Sequence, residues 1–298
     1  MKKKEPEPNV FVCDVCNQRC VFCSAEGEHR KMSEREKRAI LRIPFENLSL
    51  EGGEPLLDQD LERRVAAARR AGSKNIILFT NGLLLTEPRL RGLLASGVRT
   101  FNFNLPSHRP ASYDELTGTR GQLPRKLDII KRTIRLARPQ SVVLTFVVTA
   151  LNFREMPAYV RFVSRELKGA FYVSFNFIKI KGRVKKDLRL VPGMAAAAAS
   201  LRAALRVARS EKLRVIADGF PLCLLRNFES VSIDLQKALG KSSLYSGEKD
   251  KPKSCAACSL TTVCWGPRKD YLQLRGGAEF NPRKTPLLAF LKGLKGKF

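Results

Sequence analysis

Between Asn9 and Ile180 the sequence passes through six short strand-like runs, and a helical pattern separates each run from the next. The runs are "NVFV", "NLSL", "NIILFT", "RTFNFNL", "SVVLTFVVT" and "FYVSFNFIKI"; the helical stretches are "KMSEREKRAILR", "DLERRVAAARRA", one opening near Thr86, "RKLDIIKRTIRLA" and "AYVRFVSREL". Alternation of this kind means parallel strands joined by right-handed crossovers, with reactive loops at the C-terminal strand ends. Local signals agree: Ser33 and Glu36 have capping-box spacing, and Gly72 sits where a helix C-terminus needs a glycine.

After Lys181 the pattern changes to a basic loop, "KGRVKKDLRLV", an alanine-rich helix from about Pro192 to Ser210, a short strand "LRVIA" and a region with four of the eight cysteines. A boundary is expected near residue 185, dividing the chain into 1–184 and 185–298. Six units fall short of the eight that close a barrel. The expected class is therefore α/β, a partial (β/α)6 TIM-like barrel followed by a small C-terminal cysteine-rich α+β domain. The tail "PLLAFLKGLKGKF" is a basic amphipathic pattern weakened by two glycines, and it is expected to pack on the protein or fray rather than lie on a membrane.

At 298 residues, 44% of them hydrophobic and 28% charged, the chain has ample material for a core. The opening "MKKKEPEPNVFVC" has no apolar run of signal-peptide length, and no later segment is expected to reach the roughly 20 apolar residues of a membrane span. A cytoplasmic location is expected, where clustered cysteines serve metals or catalysis more often than disulfides. The net charge of +27 has two readings, a solvated basic surface or a site for polyanions.

"CDVCNQRCVFC" holds Cys13, Cys16, Cys20 and Cys23. One tetrahedral zinc on all four is strained, because structural zinc sites separate their ligand pairs by a longer loop. A C-x3-C-x2-C triad of Cys16, Cys20 and Cys23 instead suits three irons of a four-iron cluster, leaving one iron open to a ligand. "LEGGEPLL" follows the second strand, where Gly52 and Gly53 allow close backbone approach and Glu54 offers a carboxylate. The triad, Phe22 before its last cysteine, the GGEP stretch and the six units together resemble the radical SAM superfamily.

That resemblance implies a 4Fe-4S cluster on Cys16, Cys20 and Cys23, with its open iron chelated by S-adenosylmethionine. It places Phe22 near the adenine, and Gly52, Gly53 and Glu54 at the methionine amino group. Asn104 and Ser107, in "FNFNLPSHRP", and Asn152, in "TALN", fall where members contact the ribose or the carboxylate. The chemistry implied is reductive cleavage of S-adenosylmethionine to a 5′-deoxyadenosyl radical that abstracts hydrogen from a substrate, with a flavodoxin or ferredoxin as electron donor. Cys13 falls outside the motif and reads as a small buried hydrophobe. "FTNG" reads either as an Asn-Gly turn or as a ligand contact; His29 and His108 read as surface residues or proton donors.

Cys223, Cys255, Cys258 and Cys264 complete a second site, and their spacing admits zinc or a fully ligated 4Fe-4S cluster. The C-x2-C-x5-C run resembles the SPASM and twitch extensions of radical SAM enzymes, which implies one auxiliary 4Fe-4S cluster suited to electron acceptance. The substrate is expected to be a small molecule or a peptide, and the basic balance tilts toward an anion. Lys179, Lys181, Arg183 and Lys186 are expected to line the substrate mouth. RNA is less favoured, since the basic loop lacks interleaved aromatics. A non-enzymatic zinc-bearing RNA-binding protein is the contrasting reading, and it leaves GGEP and the six units without a purpose.

Overall fold

The computed structural model describes residues 8–27, 31–240 and 246–294. Seven strands form one sheet in sequential order: β1 (Asn9–Cys13), β2 (Asn47–Gly52), β3 (Asn75–Thr80), β4 (Val98–Asn104), β5 (Val142–Val148), β6 (Tyr172–Phe177) and β7 (Val215–Asp218). Every neighbouring pair is parallel. Because each crossover steps the same way with the same hand, the helices share one face and the sheet curls toward a barrel without closing. The strand read from "LRVIA" is β7, the seventh neighbour in the row, although it lies beyond residue 185.

Strand alternation divides the side chains cleanly. Leu48, Leu50, Ile76, Leu78, Phe101, Phe103, Leu144 and Phe146 are buried under the helices. The opposite face is polar, with Asn75 donating to Asn47 (2.9 Å), Thr100 to Asn75 (3.0 Å) and Thr145 to Asn102 (2.7 Å) across successive strands. A lumen lined this way holds its own hydrogen bonds and still offers polar groups to a guest.

The covering helices carry the expected punctuation. Ser33 caps α1 (Glu34–Ile40) in a complete capping box, α2 (Leu61–Arg70) ends before Gly72 at φ +100°, and Thr86 caps α3 (Glu87–Ser96). A helix not foreseen, α4 (Pro110–Thr117), opens on a proline and stops at Gly118 with φ +63°. Then come α5 (Leu123–Leu136), α6 (Met156–Glu166) and α7 (Met194–Ser210).

Contrary to the expectation that no segment reaches membrane-span length, Leu188–Ser210 is long and apolar enough to qualify. Its alanines provide that apolarity, and half of the stretch is buried in the protein, with α7 packed along α6. Beyond β7 lie α8 (Leu222–Leu225), α9 (Ile233–Leu239), α10 (Lys269–Arg275) and α11 (Leu287–Leu294). The tail helix α11 buries Phe290 and Leu294 beside Leu205, Val215 and Phe228 while Leu288 stays exposed, so it packs on the body as expected.

Candidate functional site

The loop leaving β1 is held on two sides through its backbone. Gly53 N–H donates to Cys13 O (2.9 Å) and Glu54 N–H to Val15 O (2.8 Å); Arg19 and Val21 N–H donate to the last carbonyls of α4, Thr117 and Leu116, each at 3.0 Å. The approach of the GGEP segment is so close that a Cβ on Gly52 would stand 2.3 Å from Cys13 O, and one on Gly53 2.1 Å from Val15 O. In this structure the two glycines therefore serve backbone-on-backbone packing that shapes the cysteine loop.

On that loop Cys16 is exposed and Cys20 and Cys23 are half-buried. Burial first, then the Cys16 and Cys23 sulfurs, push the Cys20 thiol up to about 12, so the three sense one another. Gln18 N–H donates to the Cys16 sulfur at 3.4 Å, and the side-chain amide of Asn81 reaches the same sulfur at 3.8 Å. Cys13 turns away, its thiol donating to Glu54 O at 3.1 Å. Three mutually close thiols on one turn, with N–H donors aimed at a sulfur, are a donor set that fits a 4Fe-4S cluster with one open iron.

Glu54 is almost wholly buried, at 1% exposure, and its carboxylate accepts from Leu56 N (3.0 Å), Thr80 Oγ1 (2.5 Å) and Asn81 N (2.6 Å). Burial raises its pKa against the pull of those donors. Phe22 is buried in the core. Ser107 donates to Glu155 (2.5 Å) and accepts from Arg109 N (3.0 Å). Asn152 accepts from Thr149 N (2.8 Å) and donates to Pro106 O (2.8 Å) and Val147 O (2.9 Å), tying the end of β5 to the loop after β4. Asn104 is different. Its Oδ1 is buried without a partner at the C-terminal end of β4, an acceptor open to a ligand donor. His108 packs against Tyr159 and Phe162, and burial lowers its pKa; His29 lies outside the described residues.

Asn81, in the "FTNG" stretch read as a turn or a ligand contact, joins β3 to the cysteine loop, its side chain donating to Asn17 Oδ1 at 2.7 Å. Two further residues at this site were not foreseen. Lys126, fully buried on α5, donates to Asn81 O and lies 5.0 Å above the Phe103 ring, with burial lowering its pKa to about 7. A lysine on the apolar stripe of Leu123, Ile129 and Ile130 was the available signal. Glu51 shares the lumen face of β2, where burial, opposed by Lys179, pushes it up to about 7. A carboxyl titrating there can give or take a proton at neutral pH.

The second cysteine set surrounds one small cavity walled by Leu222, Leu260 and Phe280. Burial first, then Cys264, Cys255 and Cys258, push the Cys223 thiol up to about 12. Backbone groups reach the sulfurs, from Asn281 to Cys223, from Leu222 and Gly266 to Cys264, and from Arg283 N to Cys258 at 3.3 Å. Among the described residues no three His, Cys, Asp or Glu side chains converge on a single metal ion. Four thiols around a space, each set supplied with backbone donors, fit a fully ligated cluster.

At the C-terminal strand ends a cavity of about 590 Å³ opens between Arg19 and Val21 of the cysteine loop, Leu151 after β5, and Arg183, Lys186 and Arg189 after β6, with Glu115 and Asp187 as the two carboxylates among these four cations. Gly182 presses its backbone on Cys23, and Arg183 N–H donates to Cys23 O (3.0 Å), so this basic wall is built onto the cysteine loop. Of the four basic residues expected at the mouth, Arg183 and Lys186 line it, both paired with Glu26 (Lys186 at 3.5 Å), and Arg189 beside them pairs with Asp187 at 2.8 Å. Lys179 and Lys181 do not line it and pair with Glu248, at 3.4 and 3.1 Å.

The model of the Radical SAM superfamily matches residues 10–163, a span that contains the triad, GGEP and strands β1 to β5. The chain belongs to the radical SAM superfamily. It is an enzyme family that uses a 4Fe-4S cluster and S-adenosylmethionine, and membership sets aside the non-enzymatic zinc-bearing reading. A "Probable GTP 3′,8-cyclase" of Sulfolobus acidocaldarius is 30% identical over 206 residues, 61% of this chain and 64% of that protein. A "GTP 3′,8-cyclase" of Synechococcus elongatus is 29% identical over 164 residues, 50% and 49% of the two chains. The chain thus spans less than two thirds of these curated relatives. Among solved structures, Streptococcus suis SuiB bound to S-adenosylmethionine superposes with a TM-score of 0.64 at 16% identity, over 93% of this chain and 76% of that one. Native anSMEcpe with bound AdoMet and the Kp18Cys peptide gives 0.54 at 14%, over 85% and 71%. These two share the fold of this radical SAM chain.

Proposed function

We propose that Cys16, Cys20 and Cys23 hold the cluster that binds S-adenosylmethionine, that Cys223, Cys255, Cys258 and Cys264 hold an auxiliary 4Fe-4S cluster, and that the substrate is a phosphorylated small molecule oxidised in the lumen. When bound, the first group supplies one-electron cleavage of S-adenosylmethionine to a hydrogen-abstracting radical, and the second an outlet for an electron from the substrate.

The observation that carries the substrate class is the basic cavity, because Arg19 and Val21 belong to the cysteine loop itself. A phosphate bound by Arg19 sits on the loop that carries the three cysteines, and it exchanges for Glu26 at Arg183 and Lys186 and for Asp187 at Arg189. Planar guanidinium groups suit such bidentate recognition. The names of the GTP 3′,8-cyclase relatives, which concern a nucleoside triphosphate, point the same way. The neighbours solved with a bound peptide share only the fold at 16% and 14% identity, so a peptide substrate has less support. Asn104 Oδ1 is the remaining open acceptor for the cofactor's hydroxyl or amino donors, and Glu51 the proton acceptor on the lumen wall. The electron donor is a flavodoxin or ferredoxin, in keeping with a reducing cytoplasmic setting.

The test is anaerobic cluster reconstitution, reduction in the presence of S-adenosylmethionine, and measurement of 5′-deoxyadenosine with a panel of purine nucleoside mono-, di- and triphosphates and with the matching uncharged nucleosides. Stimulation by the phosphorylated members that is lost in an Arg19→Glu/Lys186→Glu double variant is expected. Equal stimulation by the uncharged nucleosides, or a response untouched by the charge reversal, overturns the anionic-substrate reading.

A further inference from the structure

Asn81 spends every polar group it has. Its backbone N–H donates to Glu54 Oε2 (2.6 Å) and its carbonyl accepts from Lys126 Nζ. Its side-chain oxygen accepts from Leu83 N (3.0 Å), while its side-chain nitrogen donates to Asn17 Oδ1 (2.7 Å) and to the Cys16 sulfur (3.8 Å). Leu83 N–H decides which way the amide faces, because the flipped rotamer would set an oxygen against Asn17 Oδ1 and the sulfur. The NH2 group is thereby aimed at the cysteine loop by contacts outside that loop.

The peptide that carries this amide is gripped from two sides, by a carboxyl group and an amine. Glu54, 1% exposed, takes the N–H, and Lys126, 0% exposed, takes the carbonyl. Thr80 Oγ1 adds a bond to Glu54 Oε1 and accepts from Gly82 N (2.8 Å), so the turn between β3 and α3 is rigid on all sides. Gln18 N–H also reaches the Cys16 sulfur, but it moves with the loop. Asn81 is the group that fixes the sulfur relative to the sheet.

We propose that Asn81 is a positioning residue for the N-terminal cysteine site, and that its amide, donating to the Cys16 sulfur, raises the reduction potential of the cluster that Cys16 holds. A donor at a cluster thiolate withdraws electron density and favours the state with one more negative charge. The inference rests on Cys16 being a ligand. It assigns to the "FTNG" stretch neither a plain turn nor a contact to the bound cofactor, but control over the metal site.

The experiment uses the full chain, anaerobically reconstituted, with iron and sulfide counted per chain and a dithionite redox titration followed by electron paramagnetic resonance. The N-terminal cluster is the one whose signal changes on adding S-adenosylmethionine, since only an open iron can take it. Asn81→Leu removes the donor without adding charge, and Asn81→Asp sets an anion in its place. The expected result is a downward shift of that signal's midpoint by about tenfold in the reduction equilibrium, about 59 mV for one electron, in Asn81→Leu, a larger shift in Asn81→Asp, and no shift in the other signal.

Full iron content with an unmoved midpoint in Asn81→Leu overturns the proposal. Should Asn81→Leu lose its iron, Asn81→Asp carries the test, since it keeps the side-chain oxygen that Leu83 N–H holds, and full iron content with an unmoved midpoint there overturns the proposal equally. Cys16→Ser separates the two layers: a cofactor-responsive signal that survives unchanged in this variant removes the ligand reading on which the proposal stands.

Discussion

The two cysteine sites are built on opposite plans. The N-terminal one offers three thiols on a loop whose shape comes from elsewhere, from Gly53, the end of α4 and the Glu54–Asn81–Lys126 clamp, and Cys16 is left exposed. The C-terminal one offers four thiols around a small apolar cavity, with donors from its own neighbouring backbone. Open coordination needs scaffolding from the sheet, whereas closed coordination can organise its own surroundings. The sheet's reactive end is accordingly where the basic cavity also opens.

The sharpest way to break this comparison is to remove each thiol set in turn. A Cys16→Ala/Cys20→Ala/Cys23→Ala variant is expected to make no 5′-deoxyadenosine at all, while Cys255→Ala/Cys258→Ala/Cys264→Ala keeps that cleavage and loses about half of the bound iron. Loss of cleavage in both variants would mean that the sites are not separate. Next in size is Gly53→Ala, whose Cβ would meet Val15 O at 2.1 Å. Iron content should fall severalfold at the N-terminal site alone, and a normal cofactor-responsive signal would refute the backbone-clasp account.

Within the C-terminal part, Lys249 and Asp234 form a buried pair at 2.8 Å, with side chains 2% and 9% exposed. Lys249→Met strands the carboxylate, which typically costs about 3–5 kcal/mol. Thermal unfolding should show this as earlier loss of the C-terminal cluster's absorbance, ahead of the N-terminal one.

In the metal-free protein, folding holds protons on Cys20 and Cys223, both pushed up to about 12 from an ordinary value of 9.0. Between those values the folded state binds more protons than the unfolded one, so the stability they contribute is complete below pH 9 and is lost as the pH rises toward 12. Cluster-loaded protein, whose thiols are already deprotonated, should lack this alkaline decline, as urea titrations at pH 8 and 10 would show. The smallest effect is a control: Gly92 in α3 has open space around its Cβ position, and Gly92→Ala should stabilise by about 0.4–1 kcal/mol with both clusters unchanged.

Much of the barrel was legible because its signals are local. Six apolar runs, the Ser33–Glu36 box, Gly72 and the Thr86 cap each act within a few residues, and all recur in the structure. The α4 helix escaped notice although Pro110 and Gly118 mark its ends, since the stretch reads as a ligand-contacting loop. The attachment of β7 to β6 was also hidden, because strand partnership is a property of the crossover and not of "LRVIA".

At the site, residue types were readable and their commitments were not. Ser107, Asn152 and Glu54 have the chemistry to meet a cofactor, yet their side chains are spent on Glu155, Thr149 and the Thr80–Asn81 turn. Asn81 and Lys126 gain their roles from partners 64 and 45 positions distant. Hydrogen-bond partners that far along the chain leave no periodic trace in the sequence.

The sequential strand order has a consequence for how the protein comes into being on the ribosome. Each strand finds its neighbour among residues just synthesised, so the sheet can grow one hairpin-free step at a time. The cysteine loop between β1 and α1 cannot keep pace. Its holds arrive late: Glu54, then Asn81, then the carbonyls of Leu116 and Thr117, and last Lys126. The contacts that shape the cysteine loop are therefore complete only once more than a hundred further residues have been added.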